Sequence, residues 1–105
     1  MKVLQEKIEN GFKLILHGEL TLKSVPEVES ALKKIVQEKQ KSLMIDMRKL
    51  NYVDSSGLRL LVNYHHEISS NQGRLTLFSP SQNVKKVLEL TRLSQILHIQ
   101  NVPSV

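Results

Sequence analysis

The sequence predicts an α/β domain in which helices pack over a mixed β-sheet. Short apolar runs typical of strands alternate with segments whose apolar residues recur at helical spacing, which gives the order β-β-α-β-α-β-α-β. The chain has 105 residues, and its sequence shows no internal repeat, linker or low-complexity segment. Residues 1–105 are therefore interpreted as one domain with a modest core.

The first two strands are predicted at residues 3–8 and 12–17, on either side of Glu9-Asn10-Gly11. Asn-Gly favours the positive φ angles of a tight turn, so the two strands are expected to pair antiparallel. This hairpin is expected at an edge of the sheet.

Two helix starts are predicted from capping patterns. Ser24 followed by Glu27 matches a capping box, and Ser79 is the expected cap of a later helix, with Pro80 at its first position and Gln82 three residues after the cap. Apolar residues recur at helical spacing in both segments, namely Val25, Val28, Leu32, Ile35 and Val36 in the first and Val84, Val87 and Leu88 in the second.

The central strand is predicted at residues 43–47, an apolar run broken only by Asp46, and is expected to be covered on both faces. Six connecting residues follow, and then a helix over about residues 56–69 that opens at Asp54-Ser55-Ser56-Gly57. Strands at 74–78 and 96–99 complete the sheet, and the tail from Asn101 onward is expected to fray.

The corner between the central strand and this helix is the strongest candidate site. Asp and Ser accept hydrogen bonds from the N–H groups of a first helical turn, and Gly57 is expected to leave room for a close approach. Ser55 or Ser56 should therefore be exposed at a positive helix terminus. Aspartate and serine at a helix start more often act only as caps, but the helix N-terminus would also accommodate a phosphate on the serine.

Composition excludes several classes of protein. The chain has no cysteine, hence no disulfide or thiolate metal site, and a cytoplasmic location is expected. Its charged start is not typical of an export signal, and no apolar run approaches the roughly 18 residues of a membrane span. The net charge of +5 comes from scattered lysines and arginines with only two tyrosines and two phenylalanines, so direct DNA binding is not expected.

No residue pattern predicts catalysis, a metal or a cofactor. Asp-Ser-Ser-Gly differs from the Gly-x-Ser-x-Gly nucleophile elbow, and no Gly-rich loop suggests nucleotide binding. Adjacent His65 and His66 lack the spacing of a metal-binding pair and are interpreted as a part-buried and a surface histidine. Asp46 and Asp54 are explained by a strand end and a helix cap. These patterns therefore give no support for enzymatic activity.

Several segments together resemble the STAS domain, and within it the bacterial anti-sigma factor antagonists. They are the strand at 43–47, the motif Asp54-Ser-Ser-Gly-Leu after six connecting residues, Gly73 before a strand, and a last helix leading into Leu93-Ser-Gln-Ile-Leu. The resemblance covers nearly the whole chain. It implies a switch protein, and not an enzyme, that binds an ATP-using serine kinase, itself an anti-sigma factor, and so regulates sigma-factor-dependent transcription.

The resemblance also implies a role for individual residues. The kinase would phosphorylate Ser55, a serine phosphatase would reverse this, and only the unmodified protein would sequester the kinase. Thr21 and Arg59 stand where the family often has an acidic and a small residue, and both would flank the partner-facing surface. The expected partner-binding residues are Asp54, Ser55, Ser56, Gly57, Leu58, Arg59, Thr21, Arg48 and Lys49.

Arg48, Lys49 and Arg59 are expected to form a positive surface near Ser55, suited to an acidic partner. The chain itself is expected to be a monomer or a weak dimer. Two other functions remain open: a STAS interaction or ligand-sensing module without serine phosphorylation, in a signalling or secretion pathway that involves no sigma factor, and a nucleic-acid binder that uses the positive charge.

Overall fold

The computed structural model describes residues 1–39 and 41–101, so most of the predicted frayed tail, residues 102–105, lies outside the described residues. The elements follow the predicted order. They are β1 (Lys2–Ile8), β2 (Gly11–Leu20), α1 (Val25–Gln37), β3 (Ser42–Val53), α2 (Ser55–Ser70), β4 (Arg74–Phe78), α3 (Gln82–Leu90), a 3-10 turn (Leu93–Gln95) and β5 (His98–Gln100).

The five strands form one mixed sheet in the order β1-β2-β3-β4-β5. β1 and β2 pair antiparallel, whereas each later neighbour pairs parallel across a helical crossover. The predicted edge hairpin and the central position of β3 are both confirmed. Since right-handed crossovers that advance in one direction place their helices on the same side, α1, α2 and α3 share one face of the sheet.

The hairpin turn uses Asn-Gly differently from the prediction. Ile8 pairs with Gly11, so the turn residues are Glu9 and Asn10, and Asn10 alone takes a left-handed conformation with φ of 66°. Gly11 is already part of β2, and a Cβ atom there would lie 1.7 Å from the carbonyl oxygen of Ser42. Glycine is therefore needed at this position because β3 approaches closely.

β3 is longer than predicted, because the six connecting residues continue the strand. Two register shifts against β2 interrupt the regular alternation of its side chains. As a result the buried residues Met47, Leu50 and Val53 are three apart rather than two. Because a strand is recognised by alternation at every second residue, this spacing of three does not indicate a strand in the sequence.

The predicted cap position is confirmed for α1 and wrong for α3. Ser24 stands at the cap position of α1, but its hydroxyl makes no capping hydrogen bond; it donates to the carbonyl of Glu19 at 2.7 Å and accepts from the N–H of Thr21 at 2.9 Å. The cap position of α3 is Ser81 rather than Ser79, and the Ser81 hydroxyl donates to the carbonyl of Leu50. In both cases the hydroxyl binds a neighbouring segment instead of its own helix.

The core lies between the sheet and the three helices. It is formed largely by leucine, isoleucine and valine side chains, among them Leu14, Leu16, Leu32, Ile45, Leu61, Leu77 and Leu88. The expectation that β3 is covered on both faces is wrong for the described residues. Its second face carries Met44 and Asp46, and no described helix packs over it.

Candidate functional site

Asp54 begins α2 and holds its first turn in place. The Asp54 carboxylate accepts a hydrogen bond from the N–H of Gly57 at 2.9 Å, and its carbonyl accepts from the N–H of Leu58 at 2.9 Å. The N–H of Gly57 is one of the groups that a helix start leaves without internal partners, whereas the bond from Leu58 is the first regular hydrogen bond of the helix. The predicted capping role of Asp54 is confirmed, so neither Ser55 nor Ser56 is needed as the cap.

The same carboxylate binds a second segment of the chain. Its other oxygen accepts from the N–H of Leu22 at 3.0 Å, and the N–H of Asp54 donates to the carbonyl of Leu20 at 3.1 Å. The loop between β2 and α1 is thereby fixed beside the start of α2. Hydrogen bonding, first from Gly57 and less strongly from Leu22, lowers the pKa of Asp54 despite partial burial, so the carboxylate is ionised at neutral pH.

Ser55 is the exposed first residue of α2, as predicted, while Ser56 is half-buried. Arg59 is also exposed and lies four residues further along the same helix, which places it next to Ser55 on the helix surface. Leu58 is half-buried between them and the core. The Ser55 hydroxyl is therefore open to solvent beside one cation.

Gly57 has a different role from the predicted one. It is buried, and a Cβ atom there would lie 2.7 Å from the carbonyl oxygen of Leu20 and 2.7 Å from a methyl group of Val53. The space around Gly57 is thus filled by the ends of β2 and β3. Glycine permits the helix to pack against them and does not leave room for an external partner.

We expect Gly57→Ala to destabilise the protein by about 1–3 kcal/mol, because the added methyl group overpacks this junction. For a domain of this size each kcal/mol lowers the melting temperature by roughly 4–8 °C, which thermal unfolding followed by circular dichroism would detect. Ser56→Ala is the matched control, since it adds no atom to the same helical turn. Equal melting temperatures for Gly57→Ala and wild type would contradict the packing argument.

The expected positions of Arg48 and Lys49 beside Ser55 are wrong. Both lie on β3, four or five residues before its end at Val53, which corresponds to a distance on the order of 15 Å at the rise of an extended strand. Only Arg59 of the three predicted cations is next to Ser55. A role of Arg48 and Lys49 in partner binding stays a prediction.

Arg48 instead forms an ion pair with Asp46 at the first register shift of β3. The guanidinium nitrogen Nη2 lies 2.7 Å from the carboxylate, and the backbone N–H of Arg48 donates to the same group at 3.0 Å. Lys13 approaches Asp46 to 3.7 Å. Asp46 is only 2% exposed. Its contacts with Arg48 compensate the buried negative charge and also give the backbone N–H of Arg48 a hydrogen-bond partner at the register shift.

Stability should therefore fall in acid through Asp46. Burial raises its pKa, but the hydrogen bonds and charge of Arg48 and the charge of Lys13 outweigh burial and hold the pKa below its usual range. A lowered folded-state pKa stabilises the fold above the unfolded-state value of about 3.9, and this is lost as the pH falls through the folded-state pKa.

Melting temperatures measured from neutral pH down into acid would test this. The gap between wild type and Asp46→Asn should be widest at neutral pH and should narrow below about pH 4. Glu89→Gln removes an exposed carboxylate from α3 and serves as the control, for which we expect curves parallel to wild type. A gap that is independent of pH would show that Asp46 acts through packing instead.

Two exposed apolar side chains near Ser55 were not identified from the sequence. Leu22 is 71% exposed in the loop fixed by Asp54, and Tyr52 is 48% exposed two residues before Asp54. Thr21 is half-buried in the same loop. In the sequence, the signals for them are a leucine directly after Leu20-Thr21 and a tyrosine within a polar run, but the pattern of apolar residues places both in connecting segments.

The histidines do not form a metal site. His65 is buried and His66 exposed, as predicted, and the ring centroid of His65 lies 5.4 Å from that of His66 and 5.7 Å from that of His98. Burial, and then the neighbouring imidazoles, lower the pKa of His65 and favour its neutral form. Among residues 1–39 and 41–101 no group of three potential metal ligands comes together.

No helix within these described ranges is long and apolar enough to cross a membrane. The fold and the corner at Asp54 together define a small α/β protein that presents an exposed serine at a helix start. The family model of the STAS domain matches residues 3–104. The chain therefore belongs to the STAS domain family, and like the STAS anti-sigma factor antagonists it is a binding protein and not an enzyme.

The relatives agree with this assignment. The anti-sigma-B factor antagonist of Listeria monocytogenes is 29% identical over 99 residues, which cover 94% of this chain and 87% of that protein. The structure of the anti-sigma factor antagonist SpoIIAA in its unphosphorylated form superposes with a TM-score of 0.83 at 21% identity, covering 98% of this chain and 90% of SpoIIAA.

The phosphorylated form of SpoIIAA from Bacillus superposes with a TM-score of 0.76 at 22% identity, covering 98% and 93% of the two chains. At these identities the solved structures establish the fold of this chain alone. The matched proteins have nearly the same length as this chain, so the likeness extends over the whole α/β domain.

Proposed function

We propose that the chain is a phosphorylation-controlled partner-switching protein. In its unmodified form it binds and sequesters an ATP-using serine kinase that is also an anti-sigma factor, and phosphorylation of Ser55 releases the kinase. A serine phosphatase restores the binding form. The chain would thereby regulate sigma-factor-dependent transcription in the cytoplasm.

The exposed position of Ser55 at the start of α2, in a STAS domain whose relatives are anti-sigma factor antagonists, carries this proposal. A kinase can reach an exposed hydroxyl without unfolding the helix. The positive end of the helix dipole and Arg59 can then stabilise the added phosphate. Because Asp54 caps the helix, modification of Ser55 leaves the cap intact.

The surroundings of Ser55 are suited to protein binding. Leu22 and Tyr52 provide exposed apolar contacts, and the Asp54 carboxylate fixes the backbone that carries Leu22. Interfaces obtain most of their affinity from a few such side chains in a water-excluding centre. A phosphate on Ser55 would have to be desolvated when a partner covers this surface, which opposes complex formation.

Two measurements test the proposal. The intact mass of the protein isolated from its own host should show an unmodified form and a form with one phosphate, and a host serine kinase should form a stoichiometric complex with the unmodified form alone on gel filtration. A chain that is never phosphorylated in its host would instead favour a STAS interaction module without serine modification.

A further inference from the structure

The face of the sheet opposite the three helices is amphipathic. We refer to it as the open face and define it by the register of β1 to β4 together with Arg48, which lies over the ring of Phe78. Its uncharged members include Leu4, Ile8, Ile15, Met44, Thr76 and Phe78, and its charged members are Lys2, Glu6, Lys13, Asp46, Arg48, Lys49 and Arg74.

Parallel strands are almost always covered by other layers on both faces, because their side chains are apolar on both sides. Here β2, β3 and β4 are parallel, yet their apolar residues on the open face are only half-buried and Leu4 is 48% exposed. Within the part of the chain that the structure describes, this apolar strip has no helix over it.

Positive charge surrounds the strip. The ammonium of Lys13 and the guanidinium of Arg48 lie 5.5 Å and 5.3 Å from the ring centroid of Phe78. Along one cross-strand row Lys2 pairs with His17, and His17 pairs with Lys49. The open face thus carries five cationic side chains and two carboxylates, and one carboxylate, Asp46, is buried beneath Arg48 and Lys13.

We infer that the open face binds an acidic amphipathic helix of a partner protein. Four strands spaced about 4.8 Å apart and about five residues of length give a flat area on the order of 300 Å². A helix about 10–12 Å wide, with apolar residues toward Phe78 and acidic residues toward Lys2 and Lys49, fits such an area. This site is separate from Ser55, and its existence does not depend on the proposed switch.

A second copy of the chain fits the open face less well. A stable interface buries about 800 Å² on each partner, considerably more than this face offers. Two copies would also bring the same cationic rows together, and like charges across an interface oppose association. An acidic helix carries the opposite charge, and its narrow footprint matches the area of the open face.

Photocrosslinking in the native host tests the inference. The photoreactive residue p-benzoylphenylalanine is placed on the open face, as Thr76→p-benzoylphenylalanine and, in a second protein, Leu4→p-benzoylphenylalanine. The second position is an exposed edge-strand site and serves if the first variant melts early. Ser30 on the exposed side of α1 is the control position. Crosslinked peptides are then identified by mass spectrometry.

The expected result is a peptide from another protein with acidic residues and apolar residues at helical spacing. Lys2→Glu combined with Lys49→Glu should lower its yield by roughly tenfold or more, because the charges then repel. Lys33→Glu combined with Lys34→Glu on α1 changes the net charge equally and should leave the yield unchanged. The crosslink should also persist in Ser55→Ala, which separates this site from the phosphorylation switch.

Four outcomes would overturn the inference. They are a crosslink to lipid, a crosslink to a second copy or to the same chain, a yield no higher than at Ser30, and a yield that is insensitive to charge reversal at Lys2 and Lys49.

Discussion

Ser55→Ala is expected to abolish phosphorylation of the chain while leaving its melting temperature nearly unchanged. The hydroxyl is exposed, and the helix cap is supplied by Asp54. Replacing a capping residue typically destabilises a protein by about 1 kcal/mol, and a non-capping first residue should matter less. The loss of modification would therefore reflect loss of the acceptor and not loss of the fold.

The experiment combines a cognate serine kinase, ATP and intact-mass measurement, with thermal unfolding as the check on folding. Ser56→Ala is the matched control, because it removes the adjacent, half-buried hydroxyl of the same turn. It should still accept one phosphate. Phosphate found mainly on Ser56, Ser79 or Ser81 would refute the assignment of Ser55, as would normal modification of Ser55→Ala.

The serine position could be predicted from the sequence because it depends on local chemistry. An apolar strand, a capping aspartate and the onset of helical spacing at Leu58 are all contained in a short segment. The structure confirms the strand, the cap and the exposure of Ser55. Most other elements were predictable for the same reason, since periodic apolar residues identify a core-facing side wherever the period is regular.

The predictions from the sequence are wrong where contacts with distant segments of the chain determine the local structure. The hydroxyls of Ser24 and Ser81 bind carbonyls outside their helices, and such acceptors are not visible in a local pattern. Register shifts give the buried residues at the end of β3 a spacing of three, so the sequence pattern places Arg48 in a loop beside Ser55. The contact between Asp54 and Leu22 joins residues 32 positions apart, which explains why the exposed leucine was missed.

Phosphorylation of Ser55 should make the local charge around α2's first turn strongly negative. In the unmodified protein the exposed cation Arg59 accompanies the carboxylate of Asp54. A phosphate adds about −1.5 to −2 charges at neutral pH. Since the pKa of Asp54 is already lowered, its carboxylate stays ionised and does not offset the added charge by taking up a proton.

The modified form should consequently bind an acidic partner surface more weakly, by about 1–3 kcal/mol or roughly 5- to 150-fold after screening. The measurement is a binding titration of the two forms with the kinase at low and at high ionic strength. The difference should shrink at high salt, where exposed charges are screened over about 3 Å at 1 M and over about 10 Å at 0.1 M.

Position on the helix predicts which cation matters most in that titration. Arg59→Ala should weaken the unmodified complex and reduce the difference between the two forms, because Arg59 is adjacent to Ser55. Lys34→Ala is the control, since Lys34 is an exposed cation in the last turn of α1, whereas Ser55 lies in the first turn of α2. Equal binding of both forms at low salt would contradict the charge mechanism. An effect of Lys34→Ala as large as that of Arg59→Ala would show that the position of Arg59 beside Ser55 is not the cause.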